Sequence, residues 1–141
     1  MQFHNYKDKV LIIDFGSQVT KLIARRVREL GVYSEIITPT DLIKLKNFHN
    51  IKGLILSGGP STVTANAFQT VPKDIFKKKI PTLGICYLLQ LITKIFGGKI
   101  KSLKKKREFG RAILYKKNSS LLTNNFLNNK KSVWMSHEDA V

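Results

Sequence analysis

Up to Gly98, four short apolar runs alternate with segments of helical spacing, and this alternation limits the fold more than any other feature. Lys9–Phe15 (KVLIIDF) is a short apolar run ending at Gly16, the pattern of a strand buried on both faces. Ser17 is placed to cap a helix in which Val19, Leu22, Ile23, Val27 and Leu30 recur at helical spacing, with Gly31 as its stop. Tyr33–Thr38 (YSEIIT) reads as a second strand closed by Pro39, and Asp41–Lys46 as a short helix. Ile51–Leu56 (IKGLIL) is a third strand running into Ser57-Gly58-Gly59-Pro60. A weaker helix near Pro72–Lys78 precedes a fourth strand, Pro81–Ile85, and a helix over Tyr87–Phe96 that Gly97-Gly98 ends.

This order predicts βαβ units and an open, mostly parallel α/β sheet with helices on both faces. Past Gly98 the pattern changes: KIKSL, RAILYKK and SVWMS predict short strands joined by polar turns. No repeat and no dividing linker is evident, so residues 1–141 read as one domain.

Bulk properties exclude several classes. An apolar fraction of 43% does not suit a disordered chain. No window reaches the ~18 uninterrupted apolar residues of a membrane span. The N-terminus lacks the layout of a secretory signal, and a single cysteine fits a reducing compartment, so a cytoplasmic location is expected. The net charge of +16 raises nucleic-acid binding as a reading. However, 20 of the 25 basic residues are Lys, spread along the chain beside 15 Ile and 9 Asn, which looks like compositional drift. Lys104-Lys105-Lys106-Arg107 reads as a solvated loop, and nucleic acid is not expected as a partner.

In open α/β sheets ligands sit beyond the carboxyl ends of the strands. Asp14–Gln18, Ser57–Pro60 and Gly84–Tyr87 all fall at such ends. At the last of these stands Cys86. A nucleophile on a strand-to-helix turn gains from the helix N-terminus, which favours the thiolate, and from the next backbone N–H, which faces a developing oxyanion. Gly84 suits the tight turn, whereas Leu88 should crowd it. On spacing alone Cys86 is as well read as a buried structural cysteine. Ser57-Gly58-Gly59 favours the catalytic reading, because a glycine pair at a strand end admits a ligand close to the backbone. Asp14 reads as structural, helping to close its turn. His4 and His49 have no acidic partner at useful spacing and read as surface residues, and no metal-ligand cluster is present.

LIIDFGSQVTKLIARRVRELGVYSE, LILSGGPSTV, LGICY..Q, REFGRA and VWMSH.D.V together resemble the amidotransferase portion of GMP synthases, which are class I glutamine amidotransferases. The resemblance runs from about Lys9 to the last residue. It implies a mostly parallel α/β fold and a type-1 glutamine amidotransferase domain that is partial here. It implies that Cys86 attacks the glutamine side chain, that the amides of Gly59 and Tyr87 hold the oxyanion, and that Gly58, Gln90, Ser136 and Asp139 hold glutamine. The ammonia released would serve a synthetase portion that uses ATP and Mg²⁺ to convert XMP to GMP. That portion is absent from this sequence, for which no cofactor is expected, and it is the expected partner, whether joined in one polypeptide or acting in trans.

The pattern departs in three places. Leu88 and Glu138 each stand where the family has glycine, and Leu88 is expected to strain the turn or push the following helix away. The sequence also ends before the family's His-x-Glu pair, so little glutaminase activity is expected of this chain alone. His137 and Asp139, two apart on a strand, are the alternative base and orienter. A non-catalytic binding or regulatory remnant is the alternative function. Apolar surface left uncovered would favour self-association into a homo-oligomer.

Overall fold

The structure is a computed structural model and describes residues 8–59, 71–102, 108–124, 128–137 and 139–140. His4, Pro60, Lys104–Arg107 and Glu138 lie outside the described residues. The chain divides between Lys99 and Ile100 into two compact units, where the sequence pattern also changes.

The first unit holds four parallel strands: β1 (Lys9–Ile13), β2 (Ser34–Ile37), β3 (Ile51–Leu56) and β4 (Thr82–Gly84). Their order is β2-β1-β3-β4. Consecutive strand residues face opposite sides, so burial of Leu11, Ile12 and Ile13 in succession means that β1 is covered on both faces. Leu54 and Leu56 extend this core through β3. The connection from β1 leads to one side of the sheet and the next leads to the other. The carboxyl ends of β1 and β3 therefore flank the switch point at which such sheets bind ligands. Past β4 the ladder continues through Ile85, whose N–H donates to the Leu56 carbonyl at 3.0 Å.

The connecting helices are α1 (Thr20–Glu29), α2 (Pro39–Lys44), α3 (Lys73–Lys77) and α4 (Tyr87–Ile95). Two helix starts differ from the sequence reading. Ser17 does not cap α1: Val19 holds the cap position without a side-chain bond, and Ser17 Oγ accepts from the Val19 N–H at 3.2 Å in the preceding turn. Pro39 opens α2 instead of only closing β2. Its fixed φ suits the first helical turn, and Thr38 and Asp41 form a reciprocal capping box around it.

The face that α1 turns to the sheet also differs. Thr20 and Ala24 are buried, while Val19, Leu22 and Leu30 are exposed. Small residues on that face bring α1 close to β2, where the Ser34 hydroxyl donates to the Ala24 carbonyl at 3.1 Å. Apolar spacing alone favoured the bulkier neighbours.

In the second unit β6 (Glu108–Tyr115) and β7 (Lys130–His137) pair antiparallel along their whole length, and β5 (Lys101–Ser102) pairs with β8 (Asp139–Ala140). Both long strands exceed the runs read from sequence, and Phe109, Tyr115 and Trp134 are exposed on them.

Candidate active site

Cys86 stands between β4 and α4 with φ 52° and ψ −119°. A side chain rarely tolerates this left-handed region, and such strain persists only where the surroundings hold it. Here α4 holds it. A Cβ on Gly84 would lie 2.9 Å from the backbone C and O of Leu88 and 2.7 Å from Ile92 Cδ1. The helix thus passes over the strand at a distance only glycine permits, and the chain reverses sharply at the thiol. The Leu89 N–H donates to the Cys86 carbonyl at 3.0 Å, starting the first turn. Cys86 is exposed, not sealed in the core.

Leu88 does not push the helix away. Its side chain is fully buried, and it is the Leu88 backbone that meets Gly84. The turn brings residue 88 in through its main chain, and the strain of the turn falls on Cys86.

The glycine loop after β3 comes to the same place. A Cβ on Gly58 would sit 3.2 Å from Cys86 Cβ and 3.8 Å from its Sγ. A Cβ on Gly59 would lie 2.7 Å from the Phe15 carbonyl oxygen, so the loop is wedged between the thiol and the turn after β1. That turn is braced by Asp14, whose Oδ1 accepts from the Gly16 N–H and from the Thr20 hydroxyl, both at 2.9 Å. Its part in the fold is therefore structural.

Tyr87 is buried, which pushes its phenol above the usual tyrosine range and keeps it neutral. Gln90, one turn into α4, is half-buried. The first unit thus carries Gly58, Gly59, Cys86, Tyr87 and Gln90, while Ser136, His137 and Asp139 lie on β7 and β8 in the second. Ser136 is exposed and pairs with Phe109. His49 precedes β3, at the end of the strand opposite this site. A hollow of about 250 Å³ lined by Lys73, Phe76, Lys77, Ile95 and Phe96 shares no residue with the site. Among the described residues no group of three potential metal ligands converges.

Residues 11–141 match the family model described as glutamine amidotransferase class-I. This chain belongs to that family. A GMP synthase [glutamine-hydrolyzing] of Borrelia garinii subsp. bavariensis is 48% identical over 133 residues, covering 94% of this chain and 25% of that protein. The enzyme of the same name from Staphylococcus carnosus is 42% identical over 141 residues, covering 100% of this chain and 27% of its own length. The chain thus spans about a quarter of these curated relatives. Among solved structures, a protein described as a GMP synthase subunit from Thermoplasma acidophilum superposes with a TM-score of 0.74 at 28% identity. That match covers 96% of this chain and 67% of the other. A glutamine amidotransferase from Thermotoga maritima gives a TM-score of 0.71 at 21% identity, covering 95% and 62%, and supports the α/β fold.

Sequence reasoning did not anticipate the parts of Thr20 and Ser57. Thr20 falls between two apolar positions of α1 and Ser57 reads as one more turn residue. Only the meeting of β1 and β3 shows that their hydroxyls are 3.0 Å apart in the core.

Proposed function

We propose that this chain is the glutamine-hydrolysing part of a GMP synthase. The observation that carries the reading is an exposed, strained Cys86 at a helix start with the Gly58-Gly59 loop packed against it. In this reading the Cys86 thiolate attacks the side-chain carbonyl carbon of glutamine, forming a C–S bond. The oxyanion is met by the N–H groups of Gly59 and Tyr87. Its collapse breaks the C–N bond and releases ammonia once the nitrogen has taken a proton. Water then cleaves the thioester, giving glutamate and the free thiol.

By the family resemblance Gly58, Gln90, Ser136 and Asp139 hold the glutamine, with His137 and Asp139 as the alternative base and orienter. The ammonia goes to a synthetase portion, where ATP and Mg²⁺ act in making GMP from XMP. The names of relatives about four times as long support that partner. A cytoplasmic setting belongs to the same reading, as does self-association through the exposed Phe109, Tyr115 and Trp134. No helix among the described residues is long and apolar enough to cross a membrane.

The non-catalytic alternative drew on Leu88 and Glu138; the Leu88 side chain is buried in the core, which speaks against the first motive, and Glu138 lies outside the described residues. The test is covalent labelling with a chloroketone analogue of glutamine, read by mass spectrometry. One adduct on Cys86, slowed by free glutamine and lost in Cys86→Ala, is expected. Labelling that glutamine does not slow would overturn the reading.

A further inference from the structure

We infer that Thr20 and Ser57 are positioning residues for the glycine loop at Cys86, acting through buried hydrogen bonds that tie β3 to the turn after β1. The inference rests on the amidotransferase reading and deepens it.

Ser57 is fully buried and immediately precedes Gly58. Its N–H and its hydroxyl both donate to the Ile13 carbonyl, at 3.1 and 2.9 Å, and its Oγ accepts from the Phe15 N–H at 3.4 Å. Thr20 is 1% exposed, and the single hydrogen of its hydroxyl is shared between Ser57 Oγ at 3.0 Å and Asp14 Oδ1 at 2.9 Å, which links the two. A carboxylate at the end of β1, the first residue of α1 and the end of β3 are thereby joined in one chain. A buried hydroxyl left without its partner is costly, so this chain favours a single loop setting.

The loop needs such control because its far side is also fixed. Gly59 lies against the Phe15 carbonyl and Gly58 against Cys86. A small roll of the loop about Ser57 would tilt the Gly59 amide away from the point that Tyr87 also serves. Neither hydroxyl reaches solvent, so neither touches glutamine. Their effect on chemistry passes through Gly58 and Gly59.

The test compares two reagents on the full chain. The chloroketone analogue of glutamine needs the pocket and its ketone needs the oxyanion donors, whereas iodoacetamide needs only the thiol. Thr20→Val keeps the shape and removes the hydroxyl. It should slow saturated chloroketone labelling by about 10–100-fold, the size of effect expected from a displacement of ~1 Å. The iodoacetamide rate should be unchanged, and Thr20→Ser should behave as the parent. Ser57→Ala removes the same link from the loop side and should repeat the loss, which covers a failure of Thr20→Val to fold. Parent-like chloroketone rates in Thr20→Val or Ser57→Ala, or a Thr20→Ser as slow as Thr20→Val, would overturn the inference. A parent chain that glutamine does not protect overturns the amidotransferase reading itself, and this inference with it.

Discussion

Gly58 lies directly against Cys86, so close that a methyl group on it would stand 3.2 Å from the cysteine Cβ. That distance is tighter than ordinary contact, and the neighbour is the short arm that carries the thiol. Gly58→Ala must therefore displace either the loop or the sulfur. We expect chloroketone labelling of Cys86 to fall by about tenfold or more, and the melting temperature to fall as well, because Gly58 is buried and the methyl would also meet the Ile85 carbonyl oxygen at 3.4 Å. Parallel rate and melting measurements check both halves.

Leu88 is fully buried, and its backbone supplies the close approach to Gly84. Restoring the family's glycine there should therefore harm this chain. Leu88→Ala should lose about 2–5 kcal/mol, the usual range for emptying a buried leucine site. Leu88→Gly should lose more, because glycine also enlarges the entropy of the unfolded chain. Urea unfolding followed by circular dichroism measures the difference.

Much of this fold is legible in the sequence, since a strand covered on both faces reads as an unbroken apolar run. Residues 10–13 form such a run, while Ile51–Leu56 is interrupted by the exposed Lys52, and the turns after both show in the residues that follow. Boundaries are less legible where chain geometry and side-chain chemistry compete. Pro39 ends a ladder and equally begins a helix, and only the bond from Asp41 N–H to the Thr38 hydroxyl decides between them. The thiol turn follows from Gly84 and Cys86. What holds the glycine loop does not, because Asp14, Thr20 and Ser57 are far apart in sequence and look like turn and helix residues until β1 and β3 lie side by side.

Acid should destabilise the first unit through a few identifiable carboxylates. Hydrogen bonds from the Thr38 hydroxyl and N–H hold Asp41 below the usual aspartate range. Arg26 and then Arg25 do the same for Glu29, and Lys77 for Asp74. A carboxylate depressed in the folded state contributes stability above its unfolded pKa and loses it as pH falls through the folded value. Stability should therefore be flat near neutrality and decline below about pH 4. Asp41→Asn should be less stable than the parent at pH 7, with the gap closing toward pH 3. Denaturation midpoints across that range decide it, and a gap that widens in acid refutes this account.

Strain at Cys86 gives a prediction with an unusual sign. Its φ of 52° suits glycine, and a residue with a Cβ held in such a region costs about 1–3 kcal/mol. Glycine relieves that strain but enlarges the entropy of the unfolded chain by about 0.4–1 kcal/mol relative to alanine. The first effect is the larger, so Cys86→Gly should be more stable than Cys86→Ala by up to about 2 kcal/mol, although neither carries a nucleophile. At an ordinary helix start with negative φ the order is reversed or lost. Equal stability of the two variants in urea would mean that the sharp turn relaxes once the thiol is removed, and that α4 is not what holds it.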